Sequence, residues 1–170
     1  MPRRYRRYSR KSRDKYSVEQ YNFTSPPAED WTLVESTSEL TQNSRQWYTI
    51  VVPPVNFQGM RKVKHLTISL CNVTSDNTFL IYNLVYVPEG YQPLPINFPA
   101  NGSAVSNYAS NQFIMSSGVI DLGAGPTRIR SPLSRNLNSG DAIYLVLSTN
   151  ADVQTSFRIL GQLSYALTLQ

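Results

Sequence analysis

The residues with the most chemistry to offer stand at the very start of the chain. Arg3, Arg4, Arg6, Arg7, Arg10, Lys11, Arg13 and Lys15 supply eight of the sixteen Lys and Arg, against one acid, Asp14, in MPRRYRRYSRKSRDK. Eight bases less one acid give residues 1–15 a charge of +7, while eight bases and ten acids leave residues 16–170 at −2. A block of like charge repels itself and has little apolar surface to bury, so it orders only on a polyanion. Guanidinium and ammonium groups pair with phosphates without reading sequence, which makes nucleic acid the expected partner and salt the expected competitor. Tyr5 and Tyr8 are interleaved with these cations, an arrangement in which rings stack on unpaired bases while the cations hold the backbone, and it favours single strands. The same run fits a nuclear localisation signal, which adds the host nuclear import machinery as an expected partner. No apolar stretch follows the positive start, so it does not read as a secretory signal.

A second basic cluster, Arg61, Lys62 and Lys64, has two readings: an inner-surface patch that adds a rigid phosphate contact to the flexible one, or a solvated turn on the outer face. Catalytic readings fail on inventory. His65 is the single histidine and Cys71 the single cysteine, too few for a Ser-His-Asp hydrolase or a Cys/His zinc site. Cys71, within LTISLCNV, is expected to be a small buried residue. Glu35 and Glu39 are expected to be solvated charges on one strand face, not the paired carboxyls of a glycosidase. The GAGP at 123–126 precedes no helical pattern and reads as a turn. The expectation is therefore a protein that is no enzyme and holds no cofactor and no metal.

The elements that must position these groups are strands. Val, Ile, Thr, Tyr and Phe recur in short runs separated by Pro, Gly, Asn and Ser, with no helical period. Eight runs stand out: Trp31 to Leu40, Gln46 to Val52, Val63 to Val73, Thr78 to Val87, Asn111 to Ser117, Thr127 to Leu133, Ala142 to Thr149 and Ser156 to Leu169. Leu66, Ile68 and Leu70 alternate with His65, Thr67 and Ser69, giving one dry and one wet face. Phe79 to Val87 is apolar on both faces and calls for cover on each side. Gly161 is expected to mark a bulge in the last strand. The fold class predicted is all-β: an eight-stranded antiparallel jelly-roll sandwich over residues 28–170, preceded by a disordered basic arm, residues 1–27, ending in Pro26-Pro27. No apolar run approaches eighteen residues, so no membrane insertion is expected. The loop from Glu89 to Ser110 is the longest stretch without a strand signal; its prolines and aromatics predict an ordered segment, with Tyr91 and Phe98 as candidates for a subunit interface.

At the motif level, LVYVPEG (Leu84 to Gly90), the Pro-rich loop, FIMSSGVID (Phe113 to Asp121), RIRSPLSRNLNSGDAIYLVL (Arg128 to Leu147) and LSYALTLQ follow one another in an order that resembles the capsid proteins of circular, Rep-encoding single-stranded DNA viruses of the circovirus-like kind. The resemblance spans residues 45–170, and VYVPEG and PLSRNLNSGD are its most specific pieces. It implies a homo-oligomeric icosahedral T=1 shell of on the order of 60 copies, an arm facing inward on packaged single-stranded DNA, a host receptor of unknown kind, and residence in the virion and, during assembly, the host nucleus. Two other classes share the tail-plus-sandwich logic: the coat protein of a small RNA or satellite virus, and a cellular jelly-roll binding protein with a basic tail.

Overall fold

The computed structural model describes residues 16–56, 58–74, 78–108, 110–152 and 156–169. They form ten strands: β1 (Ser17–Thr24), β2 (Thr32–Val34), β3 (Ser44–Val52), β4 (Arg61–Asn72), β5 (Phe79–Val87), β6 (Phe113–Asp121), β7 (Thr127–Ser131), β8 (Arg135–Leu137), β9 (Ala142–Asn150) and β10 (Ile159–Leu169). Every pairing is antiparallel. Sheet A runs β1-β10-β4-β7, with β8 also on β4; sheet B runs β2-β3-β9-β5-β6. The two sheets press their inner faces together. Leu66, Ile68, Leu70, Ile159, Leu163 and Tyr165 from sheet A meet Leu80, Leu84, Ile120, Leu145 and Leu147 from sheet B in one buried cluster. An all-β antiparallel sandwich is thus what the alternation of β4 called for, since period two puts every apolar residue of a wet-faced strand on one side.

Ten strands replace the expected eight, and the differences have physical causes. Residues 17–24, expected within the arm that ends at Pro26-Pro27, pair along their whole length with β10, from Ser17 opposite Leu167 to Thr24 opposite Leu160. The anchor is Phe23, whose ring occupies the space a Cβ would need on Gly161. Gly161 is therefore no bulge; it is small so that an aromatic ring can lie flat on the sheet. The sandwich therefore takes in residues 17–24, which were expected outside it. Pro26-Pro27 then lies inside the fold, where Ser25 N–H donates to the Ile159 carbonyl at 2.9 Å and the Trp31 indole donates to the Pro26 carbonyl at 3.1 Å. Trp31 packs edge-on against Phe157 with centroids 5.5 Å apart, sealing the core at that end.

The run from Trp31 to Leu40 contributes only three strand residues. Ser36 and Thr41 draw the following residues into a turn, the Ser36 hydroxyl donating to the carbonyls of Ser38 and Thr41 at 2.7 and 2.9 Å, so Glu35 and Glu39 do not share a strand face. The irregularity expected at Gly161 occurs instead on β4. Between the pairs Thr67↔Ser164 and Lys64↔Ala166, two residues of β4 face one of β10, and His65 takes φ +56°. It is the one non-glycine with a left-handed backbone among the described residues, a conformation that one class of bulge uses and branched side chains resist.

Sheet B needs cover on its outer side, and its own chain supplies it. Val85, Val87, Ala142, Tyr144 and Val146 form a second buried cluster with Ile96, which projects from the long loop and is 1% exposed. Gln46 clamps that position: its amide donates to the Ile96 carbonyl at 2.5 Å and its carbonyl accepts from the Ile96 N–H at 2.8 Å. The loop is also held by Gln42 N–H to the Phe98 carbonyl at 3.0 Å and by Gln112, which bridges Leu94 and Gln92.

Candidate nucleic-acid interface

On the outer face of sheet A the register lays side chains out in rungs. Arg128 stands opposite Ser69, which faces Gln162 and then Asn22; Arg130 stands opposite Thr67, then Ser164 and Gln20. Past the His65 bulge come Lys64 with Ala166 and Val18, and then Asn136, Lys62 and Thr168. Seven residues of β4 separate the first rung from the last, roughly 20 Å at about 3.3 Å per residue. Arg128, Arg130, Lys62 and Lys64 therefore share one surface. Among the described residues no Asp or Glu occupies an outward position on these strands, and none of the four cations makes a side-chain hydrogen bond or ion pair. Unneutralised charges spread over a polar sheet face are free to pair with an external polyanion.

The chain enters this sheet beside the lysines. Ser17, two residues after Lys15, begins β1, and Val18, Ala166 and Lys64 are neighbours across three strands. With strands about 4.8 Å apart, Val18 lies roughly 10 Å from Lys64. Arg3, Arg4, Tyr5, Arg6, Arg7, Tyr8, Arg10, Lys11, Arg13 and Lys15 themselves lie outside the described residues.

Arg61 does not belong to this surface. Strand alternation turns it inward while Lys62 and Lys64 point out, and it is 4% exposed. Its guanidinium donates to the Pro53 carbonyl at 2.9 Å and to the Asp141 carbonyl at 3.1 Å, and burial lowers its pKa. The expected trio is thus a pair, completed by two arginines that lie more than sixty residues along the chain. Arg135 and Arg45 are likewise committed elsewhere, Arg135 over the rings of Tyr86 and Phe113 at 4.1 and 4.7 Å and Arg45 on the carbonyls of Glu29 and Ala151.

The two most specific sequence motifs turn out to meet each other. Asp141 of NSGD accepts from Tyr86 Oη at 2.8 Å and from the Glu89 N–H at 3.2 Å, both within VYVPEG, and from the Asn138 N–H at 2.8 Å. Desolvation and the bond to Asp141 raise the Tyr86 pKa. Gly140, at φ +79°, leaves no room for a Cβ beside the Glu89 side chain. These motifs therefore build a joint that fixes where the long loop leaves sheet B.

Of the interface candidates on that loop, Tyr91 is 53% exposed and Phe98 is half-buried. Tyr48, Ile50, Phe79 and Val119 add exposed apolar surface on strands of the same sheet. Cys71 lies on the outward side of β4, half-exposed, and donates its thiol to the Asn72 carbonyl at 3.3 Å. It is not the core residue expected: Leu70 points in, so its neighbour points out. His65 is exposed, and among the described residues no three His, Cys, Asp or Glu side chains cluster as a metal site.

No protein-family model and no curated protein matches the chain. Among solved structures it aligns over 92% of its length with the infectious bursal disease virus VP2 subviral particle, at 10% identity and TM-score 0.20, and with the structure of the Gt strain of that virus, at 11% and 0.19. A mutant VP2 of the same virus, in derived T=1 particles, aligns at 12% and 0.19. The chain spans less than half the length of these proteins, 43%, 41% and 41%. Overlap that loose transfers no role.

Proposed function

We propose that this protein is a coat subunit that assembles into a small closed shell and packages single-stranded DNA through its basic N-terminal segment, in the manner of the circovirus-like capsid proteins its motifs resemble. The observation that carries the proposal is the joint placement of two cationic features. The +7 segment enters the sandwich at β1, and the same sheet turns Lys62, Lys64, Arg128 and Arg130 outward with no described carboxylate between them. Cations of that segment together with cations fixed on the sheet suit a strand held without regard to sequence. The strand orders support a jelly-roll reading, because the chain alternates between β1-β10-β4-β7 and β3-β9-β5-β6 as it does in double-sheet rolls. The opposite sheet supplies surface for copy-to-copy contact, with Tyr91, Phe98 and the exposed apolar residues of β3, β5 and β6 as the candidates. The protein works by binding and assembly, with no catalytic step, in the virion and in the host nucleus during assembly.

Electron microscopy of the purified protein, followed by nuclease treatment of the particles, tests this. Closed shells holding nuclease-resistant nucleic acid that DNase digests after extraction are the expected result. RNase-sensitive contents would make it an RNA virus coat. A small oligomer that protects nothing would overturn the coat reading in favour of a cellular binding protein with a basic tail.

A further inference from the structure

Next to the arginine rungs, the outer face of sheet A is indented. Pairing of β7 with β4 stops at Thr127 opposite Leu70, so no strand lies beside Cys71 on that side, and Pro126 forms a wall there instead. Leu160, opposite Cys71, forms the facing wall. The cavity between them is about 400 Å³, and Asn22, Ser69 and Gln162 bring amide and hydroxyl groups to its rim. It adjoins the cleft that holds Arg128, Arg130 and His65, because Ser69 of the groove and Thr67 of the cleft are two residues apart on one face of β4.

We infer that this groove receives an unpaired base of a single strand whose phosphates lie on Arg128 and Arg130, an inference that rests on the nucleic-acid reading proposed above. The two arginines are alternate residues of one strand, roughly 6.6 Å apart at about 3.3 Å per residue, a spacing comparable with that of successive phosphates on an extended strand. An apolar slot of this kind accepts the face of any base, as stacking surfaces do in sequence-tolerant binding. The amides of Asn22 and Gln162 both donate and accept, so they satisfy the edges of all four bases without choosing strongly among them. A duplex is refused because its bases are stacked and paired. The sheet thereby becomes a single-strand-selective surface independent of the tyrosines of the basic segment.

Cys71, the only cysteine of the chain, reports occupancy directly. The test is alkylation of the full-length protein by iodoacetamide, alone or with oligo(dT) of about twelve nucleotides or an abasic strand of equal length and charge. Both strands are expected to bind at low salt, but oligo(dT) alone should slow alkylation, by about fivefold or more. Leu160→Gln, at an exposed position, should weaken oligo(dT) by about fivefold, the low end of the range for losing one stacked base, and leave the abasic strand unchanged. Binding of both strands with equal or no protection of Cys71 would overturn the groove while leaving the phosphate-binding face in place. Failure of either strand to bind at low salt would remove the nucleic-acid reading itself, and the groove with it. The alkylation comparison stands on the unsubstituted chain, so it decides the matter even if the variant does not fold.

Discussion

The outer faces of the two sheets solve the same geometric problem in opposite ways. Sheet A turns Lys62, Lys64, Arg128 and Arg130 outward over Ser, Thr, Gln and Asn, with Val18 and the Leu160 groove as apolar patches among them. Sheet B turns Val85, Val87, Tyr144 and Val146 outward and hides them under Ile96 of its own loop. One sandwich therefore carries a cationic, mostly polar face and a face covered by its own loop. On the nucleic-acid reading proposed above, residues under the loop hold the fold and the sheet A cations hold a partner, so truncations under the loop should cost stability and charge changes on sheet A should cost binding.

The largest effect should come from removing residues 2–15. The truncated protein keeps the β-sheet circular dichroism of the full chain, since β1 begins only at Ser17, but protects no nucleic acid from nuclease. Retention of full protection would show that the segment is only an address label. Next in size is Ile96→Ala. Loss of a fully buried side chain is expected to cost about 2–5 kcal/mol in denaturant unfolding, with oligonucleotide affinity unchanged in the folded fraction. A change of less than about 0.5 kcal/mol would mean that the loop does not cover sheet B.

Neutralising sheet A should do the reverse. The quadruple change of Lys62, Lys64, Arg128 and Arg130 to Gln is expected to leave stability within about 0.5 kcal/mol, as for ordinary surface substitutions. It should also flatten the log–log salt dependence of single-strand binding by about 3, from roughly 0.7 per phosphate contact. An unchanged slope would assign all phosphate contact to the basic segment.

Alkaline titration probes the covered and inner faces together. Burial raises the pKa of Tyr144, beneath the loop, and of Tyr165, in the core, above the ordinary value of 10. A raised pKa means the folded state prefers the neutral phenol, so this stabilisation is complete below pH 10 and is lost as pH climbs through the raised values. Unfolding should therefore set in above pH 10, and Tyr165→Phe should move its midpoint upward. The smallest effect expected is for His65→Gly. It relieves the left-handed backbone at the bulge, raising stability by about 1 kcal/mol or less with no change in binding.

Much of this was legible in the chain. The concentration of charge in residues 1–15 is a property of composition, and the alternation of Leu66, Ile68 and Leu70 with His65, Thr67 and Ser69 is local, so both the basic segment and the all-β class could be read directly. The inward turn of Arg61 could not be, since alternation carried back from Leu66, Ile68 and Leu70 would point it outward, and only the bulge at His65 reverses the phase so that Arg61 and Val63 face the core. What the tertiary structure alone decided was which distant segments meet. Arg128 and Arg130 join Lys62 and Lys64 only through the pairing of β7 and β8 with β4, and VYVPEG meets NSGD only through the pairing of β5 with β9, which sets Val87 opposite Ala142. SVEQYNFT became a strand because Phe23 found a flat seat on Gly161, a contact 138 residues away in sequence. Local periodicity says which way a side chain points; the register of long-range pairing says what stands beside it, and no pattern within a single strand encodes that.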